Sequence, residues 1–87
     1  MKMVIAIISD KSDAPVMERL AAEGYGVTRV ASTGGVMRRG NVTLFIGVPD
    51  AQVQAVIDLL RNTCRPPEAG QHRATIFVSD ARHFEQI

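Results

Sequence analysis

The chain has 87 residues, of which 46% are hydrophobic and 22% charged, and ten Lys and Arg against nine Asp and Glu leave a formal net charge of +1. This composition predicts a single globular domain over residues 1–87 and excludes a disordered tail, and no apolar run approaches the roughly 20 residues that span a bilayer. The near-neutral charge argues against a nucleic-acid polymer as partner, because proteins that bind phosphate backbones usually carry a basic excess.

The chain has one cysteine, Cys64, which excludes an internal disulfide and a cysteine-rich metal site. Stability must therefore come from an apolar core. In a chain of this length, the free energy gained by burying apolar surface nearly cancels the cost of ordering the chain, which favours further burial in an oligomer. The first residues show no basic leader and no cleavage site, so we expect a cytoplasmic protein with no membrane association.

The first half of the chain predicts a strand, a helix and a second strand. Residues 3–8, MVIAII, form a continuous apolar run that suits a central strand covered on both faces. Ser12 or Asp13 is expected to cap the helix that follows. The apolar face of this helix consists of Val16, Met17, Leu20 and Ala21. Gly24 suits the left-handed end of the helix, and the alternation of residues 25–32 predicts the second strand.

The second half of the chain repeats this order. Residues 42–48 alternate as VTLFIGV, which predicts a third strand, and Asp50 is expected to cap a second helix. The apolar stripe of that helix consists of Val53, Val56, Ile57 and Leu60. Residues 64–72 contain two prolines and a glycine, which predicts a loop, and residues 74–79, ATIFVS, predict a fourth strand.

The order βαββαβ predicts an α+β fold, the ferredoxin-like sandwich. In this fold a four-stranded antiparallel sheet carries both helices on one face. The other face then holds apolar side chains that need cover, among them Phe45, Phe77 and either Val4 or Ile5. An oligomer that packs sheet against sheet would supply that cover.

The connection between the second and third strands, TGGVMRRGN at residues 33–41, is the candidate binding segment. Its glycines permit positive φ and bring backbone N–H groups close to a phosphate or a purine edge. Arg38 and Arg39 add positive charge, and the Asn41 side chain has both a donor and an acceptor. The same glycines also fit an ordinary hairpin turn, so the residues alone leave both readings open.

No pattern in the sequence predicts catalysis, a metal or a cofactor. Residues 35–40 have the glycine spacing of a P-loop, but Asn41 and Val42 stand where Lys and Ser or Thr are required, and a strand follows in place of a helix. His72 and His83 are isolated from each other and from any nucleophile. A C-x-x-C pair and the aromatic RNP pattern of RNA-binding ferredoxin-like domains are both missing. We therefore expect a protein that is not an enzyme.

Two separated motifs carry a family resemblance. T-G-G-x-x-R-x-G-N-x-T occupies residues 33–43, and F-E-Q occupies residues 84–86. Together with the opening KMVIAIISD, the segment VTRVASTGGVMRRGNVTLFIGV and the ending ATIFVSDARHFEQI, they resemble the PII-like cyclic-di-AMP receptor proteins, small signal-transduction proteins related to nitrogen regulatory PII. The resemblance covers nearly the whole chain.

The resemblance implies a homotrimer with nucleotide pockets between neighbouring subunits and cyclic-di-AMP, or a related adenine nucleotide, as the ligand. The matching positions of this chain are Thr28, Gly34, Gly35, Val36, Met37, Arg38, Asn41, Gly47 and Gln86. Backbone amides and Asn41 would contact adenine and phosphate, and Thr28 would contribute a hydroxyl group. Such a protein signals to an effector protein, whose identity the sequence does not give.

The chain departs from the family's pattern in three places, one of which is the loop after the second helix, shortened here to RPPEAGQ at residues 65–71. Val36 and Met37 stand where Phe and Leu are typical, which removes an aromatic ring that can stack on adenine, and Gly26 stands where a basic residue is common. These departures keep a second hypothesis open. In it the chain is a PII-like interaction trimer that has lost nucleotide binding and recognises a protein or another small metabolite.

Overall fold

A computed structural model of the chain describes residues 1–31, 40–64, 74–81 and 85. The strands are β1 (Lys2–Ser9), β2 (Gly26–Ala31), β3 (Asn41–Val48) and β4 (Ala74–Asp80), and the helices are α1 (Asp13–Ala22) and α2 (Val53–Thr63). Short 3-10 turns, Asp10–Ser12 and Asp50–Gln52, lead into the helices. The predicted order βαββαβ is confirmed. Neither helix in these ranges is long and apolar enough to cross a membrane.

The four strands form one antiparallel sheet in the order β2-β3-β1-β4. β1 lies between β3 and β4, and its Ile5 is opposite Phe45 on one side and Phe77 on the other. β2 pairs with β3, with Thr28 opposite Phe45. The central position predicted for the MVIAII run is therefore confirmed, and β2 and β4 form the edges of the sheet in the part of the chain that the structure describes.

Both helices pack on the same face of the sheet. Alternate residues of β1 and β3 point towards this face and meet the buried stripes of α1 and α2, which explains the strand and helix periods of the sequence. The buried apolar residues are Val4, Ala6, Ile8, Val16, Leu20, Val42, Leu44, Ile46, Val48, Val56, Leu60 and Cys64. Ala21, predicted on the apolar face of α1, is exposed, because the buried face is centred on Val16 and Leu20 and the next residue turns about 100° away.

The start of α1 differs from the predicted cap. Ser12 precedes the helix, but its side chain makes no capping hydrogen bond, and Asp13 is already the first helical residue. The preceding 3-10 turn carries the local hydrogen bond instead, in which the Ser9 hydroxyl accepts from the amide of Lys11 at 3.2 Å. The Asp13 carboxylate faces β2, where its Oδ2 accepts a hydrogen bond from Nε of Arg29 at 2.5 Å. Asp13 therefore joins α1 to β2 and does not cap the helix.

The end of α1 matches the prediction. Gly24 has a φ of +82°, in the left-handed region that residues with a side chain rarely adopt. Its conformation reverses the chain so that the amide of Tyr25 donates to the carbonyl of Leu20 at 3.0 Å. The chain then enters β2 without a longer connection.

Candidate functional site

The sheet face opposite the helices, here called the open face, carries the described residues predicted to bind ligand. Because side chains alternate along strands, this face presents the odd-numbered residues of β1, β3 and β4 and the even-numbered residues of β2. Thr28, Asn41 and Gly47 all belong to it. Phe77 lies here with 56% of its surface exposed, in the same row across the sheet as Ile5 and Phe45. Of the two alternatives for β1, Ile5 is on this face, and Val4 is buried beneath the helices.

A depression of about 250 Å³ lies on the open face where β2 begins and β3 ends. The described residues that line it are Met1, Met3, Gly26, Val27, Thr28, Phe45 and Gly47. Two of the predicted ligand residues, Thr28 and Gly47, therefore share one site. We call this site the glycine depression, because two glycines form its floor.

The two glycines face each other across the β2–β3 pair, with Gly26 directly opposite Gly47. On the next strand Met3 is opposite Gly47. A Cβ atom added to Gly26 would meet no heavy atom of the described residues within 4 Å, and one added to Gly47 would lie 3.9 Å from Cε of Met1. The hollow thus exists because two neighbouring positions of the sheet lack side chains.

Met1 forms one wall of the glycine depression and is anchored by its main chain. Its ammonium group lies 2.9 Å from Oδ1 of Asp50, and its carbonyl accepts from the amide of Ala81 at 3.1 Å. The hydrogen bond from this ammonium lowers the pKa of Asp50 below its ordinary value. Lys2 pairs with Asp80, and this hydrogen bond and the charge of Asp80 raise the pKa of Lys2.

The prediction that Asp50 caps α2 is wrong. Asp50 lies in the 3-10 turn that precedes the helix, and no side chain caps either that turn or α2. The carboxylate is used at the start of β1, where it bonds the ammonium of Met1. A local spacing rule does not reveal this contact, because the two residues lie far apart in the sequence.

Asn41 lies at the opposite end of β3 from the glycine depression. It is the first residue of the strand, half-buried, and opposite Ser9 of β1. The preceding Gly40 has a φ of +88° and accepts a hydrogen bond from the amide of Asp10 at 2.7 Å. Asn41 precedes Gly47 by six residues of strand, which corresponds to roughly 20 Å at about 3.4 Å per residue. One copy of the chain therefore keeps Asn41 apart from the depression.

The remaining predicted ligand residues lie outside the described residues. They are Gly34, Gly35, Val36, Met37, Arg38 and Gln86. The assignments made for them stay predictions. The part of the chain that the structure describes brings Thr28 and Gly47 together and places Asn41 on the same face at a distance.

Sequence reasoning missed several residues of the depression. The sequence pattern singles out Gly26 only as a position without a positive charge. The alternation of β2 puts Gly26 on the same face as Thr28, and the hairpin pairing of β2 with β3 could have placed it opposite Gly47. Met1 and Phe45 carry no motif. Met1 precedes the first predicted strand, and only its contact at Gly47 shows that it lines the site.

A second hollow, of about 530 Å³, lies between α1 and α2 on the other side of the molecule. Pro15, Glu18, Arg19, Leu59, Asn62 and Thr63 line it. It is larger than the glycine depression, but it is a shallow surface groove with charges of both signs and contains none of the predicted ligand residues. Across residues 1–31, 40–64, 74–81 and 85, no group of three His, Cys, Asp or Glu side chains is placed to hold a metal ion.

Comparison with known proteins gives matches that span nearly the whole chain. A family model described as "Cyclic-di-AMP receptor" matches residues 1–86. A solved structure, described as a functionally unknown protein from Pediococcus pentosaceus ATCC 25745, is 25% identical and has a TM-score of 0.80, with 99% of this chain and 96% of that chain covered. The ferredoxin-like arrangement of the four strands and two helices is thus shared over nearly the full length of both chains.

Proposed function

The chain belongs to the cyclic-di-AMP receptor family, which is PII-like, and from this membership we propose that it is a trimeric sensor that binds cyclic-di-AMP, or a related adenine nucleotide, between neighbouring subunits. The observation that carries the proposal is the family match over residues 1–86. The protein acts as a receptor that reports the presence of the ligand to an effector protein.

The separation of the predicted contacts supports a site shared between copies. Thr28 and Gly47 line the glycine depression, whereas Asn41 lies roughly 20 Å along β3 from Gly47. A base bound in the depression is too far from Asn41 of the same copy for a hydrogen bond. A neighbouring copy packed against the open face brings its own Asn41 to the depression.

The apolar character of the open face supports the same arrangement. Phe77 is 56% exposed and Val30 is 43% exposed, and both lie on this face. Exposed apolar groups of this size at the centre and edges of a sheet favour a covered surface, because removing them from water is favourable at about 25 cal/mol per Å². A second and third copy of the chain supply that cover.

Calorimetry with cyclic-di-AMP tests the proposal. We expect cyclic-di-AMP to bind more tightly than cyclic-di-GMP, ATP or AMP, and we expect Asn41→Ala to weaken binding about tenfold or more, because a ligand polar group loses its partner. Asn62→Ala is the matched control, since Asn62 lines the groove between the helices and not the glycine depression. Absence of binding heat with all four nucleotides overturns the proposed function.

A second function is favoured by the lining of the depression. Gly26 offers no positive charge to a phosphate, and the other described residues that line the site have uncharged side chains. This chemistry also fits an interaction trimer that has lost nucleotide binding. Calorimetry separates the two hypotheses, because the interaction trimer gives no heat with any nucleotide, and light scattering tests the mass of three copies that both hypotheses require.

A further inference from the structure

We infer that Arg29 and Asp13 are positioning residues for Asn41, although both lie away from the face on which the ligand is proposed to bind. The inference rests on the proposed function for the role of Asn41 in binding. It adds that residues 10–13, here called the α1 turn, hold the start of β3 in place. Breaking this hold lowers the affinity for the ligand.

Arg29 lies on the side of the sheet opposite the predicted ligand contacts. Thr28 points to the open face, so its neighbour Arg29 points to the side on which the helices pack. Nε of Arg29 donates to Oδ2 of Asp13, the first residue of α1, at 2.5 Å. An effect of Arg29 on ligand affinity is therefore transmitted through the protein and is not a lost ligand contact.

Three hydrogen bonds in series connect Arg29 to the residue before Asn41. The first is the bond from Arg29 to the Asp13 carboxylate. In the second, the amide of Asp13 donates to the carbonyl of Asp10, which closes the α1 turn. In the third, the amide of Asp10 donates to the carbonyl of Gly40 at 2.7 Å. The α1 turn thus holds both β2 and the start of β3.

The last of these bonds fixes the backbone from which the Asn41 side chain projects. The carbonyl of Gly40 and the amide of Asn41 belong to one planar peptide group, so the amide of Asp10 orients that group directly. Asn41 itself lies opposite Ser9 of β1. Gly40 has a φ of +88°, so the chain leaves the strand conformation at this residue. The orientation of Asn41 therefore depends on the bond to Asp10.

The α1 turn has little freedom to absorb a change at one of its ends. Ser12 is 1% exposed, and the Ser9 hydroxyl accepts from the amide of Lys11 at 3.2 Å. Closely packed groups transmit strain to their neighbours, and linked hydrogen bonds strengthen one another. A shift of Asp13 is therefore passed to Asp10.

Arg29 is the hydrogen-bond partner that holds the Asp13 side chain. The other carboxylate oxygen, Oδ1, is buried and has no hydrogen-bond partner among the described residues. Leaving a largely buried carboxylate without its partner is costly, so loss of the Arg29 guanidinium favours movement of Asp13 towards water. The α1 turn moves with it, and the peptide group before Asn41 loses its fixed orientation.

Calorimetry of the full chain with cyclic-di-AMP tests the inference through two variants of opposite charge change. We expect Arg29→Met to weaken binding about fivefold and Asp13→Ala about threefold, because each removes the same bond. A long-range effect of charge on an anionic ligand would instead move the two affinities in opposite directions. Tighter binding by Asp13→Ala, or binding like the parent protein by both variants, overturns the inference and leaves the proposed function standing.

Val56→Ala is the control for a general loss of stability. Val56 is buried in α2, outside the α1 turn, and its truncation destabilises the core. We expect this variant to unfold at a lower urea concentration and to bind cyclic-di-AMP like the parent protein. If it weakens binding as much as Arg29→Met does at a similar loss of stability, the effect of Arg29 is a general one and the inference is wrong.

Hydrogen exchange in the protein without ligand gives a test that does not need cyclic-di-AMP binding. The amide of Asp10 reports the bond to Gly40, and the amide of Ala81, which donates to the carbonyl of Met1, is the internal reference. We expect the ratio of the Asp10 rate to the Ala81 rate to rise about fivefold in Arg29→Met and to stay unchanged in Val56→Ala. An unchanged ratio in Arg29→Met overturns the inference.

The two measurements distinguish failure of the inference from failure of the proposed function. If the parent protein binds no cyclic-di-AMP, the proposed function is refuted, and the exchange ratio decides whether Arg29 and Asp13 hold the start of β3. If the parent binds and the ratio does not change in Arg29→Met, the receptor function stands and the positioning role is refuted.

Discussion

At the scale of single residues, the pair formed by Asp13 and Arg29 joins the start of α1 to the middle of β2. Asp13 has 15% of its side-chain surface exposed and Arg29 has 42%. Oδ2 of Asp13 accepts from Nε of Arg29 at 2.5 Å, whereas the buried Oδ1 has no hydrogen-bond partner among the described residues. A largely buried carboxylate with one of its oxygens unsatisfied depends strongly on its remaining partner.

We therefore expect Arg29→Met to lower the free energy of unfolding by about 1–2 kcal/mol, because it leaves the Asp13 carboxylate without its cation. Arg61→Met is the matched control, since Arg61 and Asp58 are both well exposed and 3.6 Å apart, and its effect should be within about 0.5 kcal/mol of zero. Urea unfolding of the two variants measures the difference. An equal decrease in the free energy of unfolding of both variants would show that the Arg29–Asp13 pair stabilises the fold no more than the exposed Arg61–Asp58 pair does.

The ion pair between Asp50 and the ammonium of Met1 predicts a pH dependence. The hydrogen bond from the ammonium lowers the pKa of Asp50, so the unfolded chain takes up this proton first as the pH falls. The contribution to stability is therefore present above the ordinary carboxyl pKa and is lost as the pH falls through the lowered pKa of the folded state.

Asp50→Asn should accordingly reduce stability slightly at neutral pH, and the two proteins should converge in acid, where Asp50 is protonated in both the folded and unfolded states. Thermal unfolding across the acidic range measures this. Added salt should shrink the difference, because both partners are exposed. A difference that persists unchanged in strong acid would assign the effect to something other than this pair.

At the scale of elements, two glycines near the start of β2 have different roles. Gly24 has a φ of +82°, so a side chain there is strained, although a Cβ atom would meet no described atom within 4 Å. Gly26 has equal space around its Cβ position and an ordinary strand backbone. Because neither position has a steric contact, the pair isolates the effect of backbone strain.

Gly24→Ala should lower the free energy of unfolding by about 1–2 kcal/mol, the cost of a left-handed residue with a side chain. Gly26→Ala should change it by no more than about 0.5 kcal/mol. Chemical denaturation of both variants compares them. If Gly26→Ala is the more destabilising change, the end of α1 does not depend on the left-handed conformation of Gly24.

The elements could be predicted from the sequence because their signals are local. The alternation of residues 42–48 and the spacing of Val56 and Leu60 each record which face of an element is buried, and the structure confirms both. The caps assigned to Asp13 and Asp50 were wrong because each carboxylate bonds a group remote in the sequence. The glycine depression depends on strand register and on Met1 lying over Gly47, which no local pattern encodes.

At the scale of the whole molecule, the open face is the surface through which we propose that copies of the chain assemble. Phe77 is the most exposed large residue of this face apart from Met1, and the sheet that it stands on is apolar along β1. We expect Phe77→Glu to convert the proposed trimer to single copies, because a buried carboxylate between sheets is costly. Ala55→Glu, on the exposed side of α2, is the control and should leave the mass unchanged. Light scattering measures both; a trimeric Phe77→Glu would show that copies meet elsewhere.

β4 also bears on how the protein behaves during its synthesis. Phe77 and Val78 are exposed on opposite sides of this edge strand, at 56% and 44%, and its outer backbone groups pair with no described strand. Unpaired strands of this kind are templates for aggregation. We therefore expect strong overexpression, which raises the concentration of chains with exposed edges, to yield inclusion bodies, and slow expression at low temperature to yield dissolved protein.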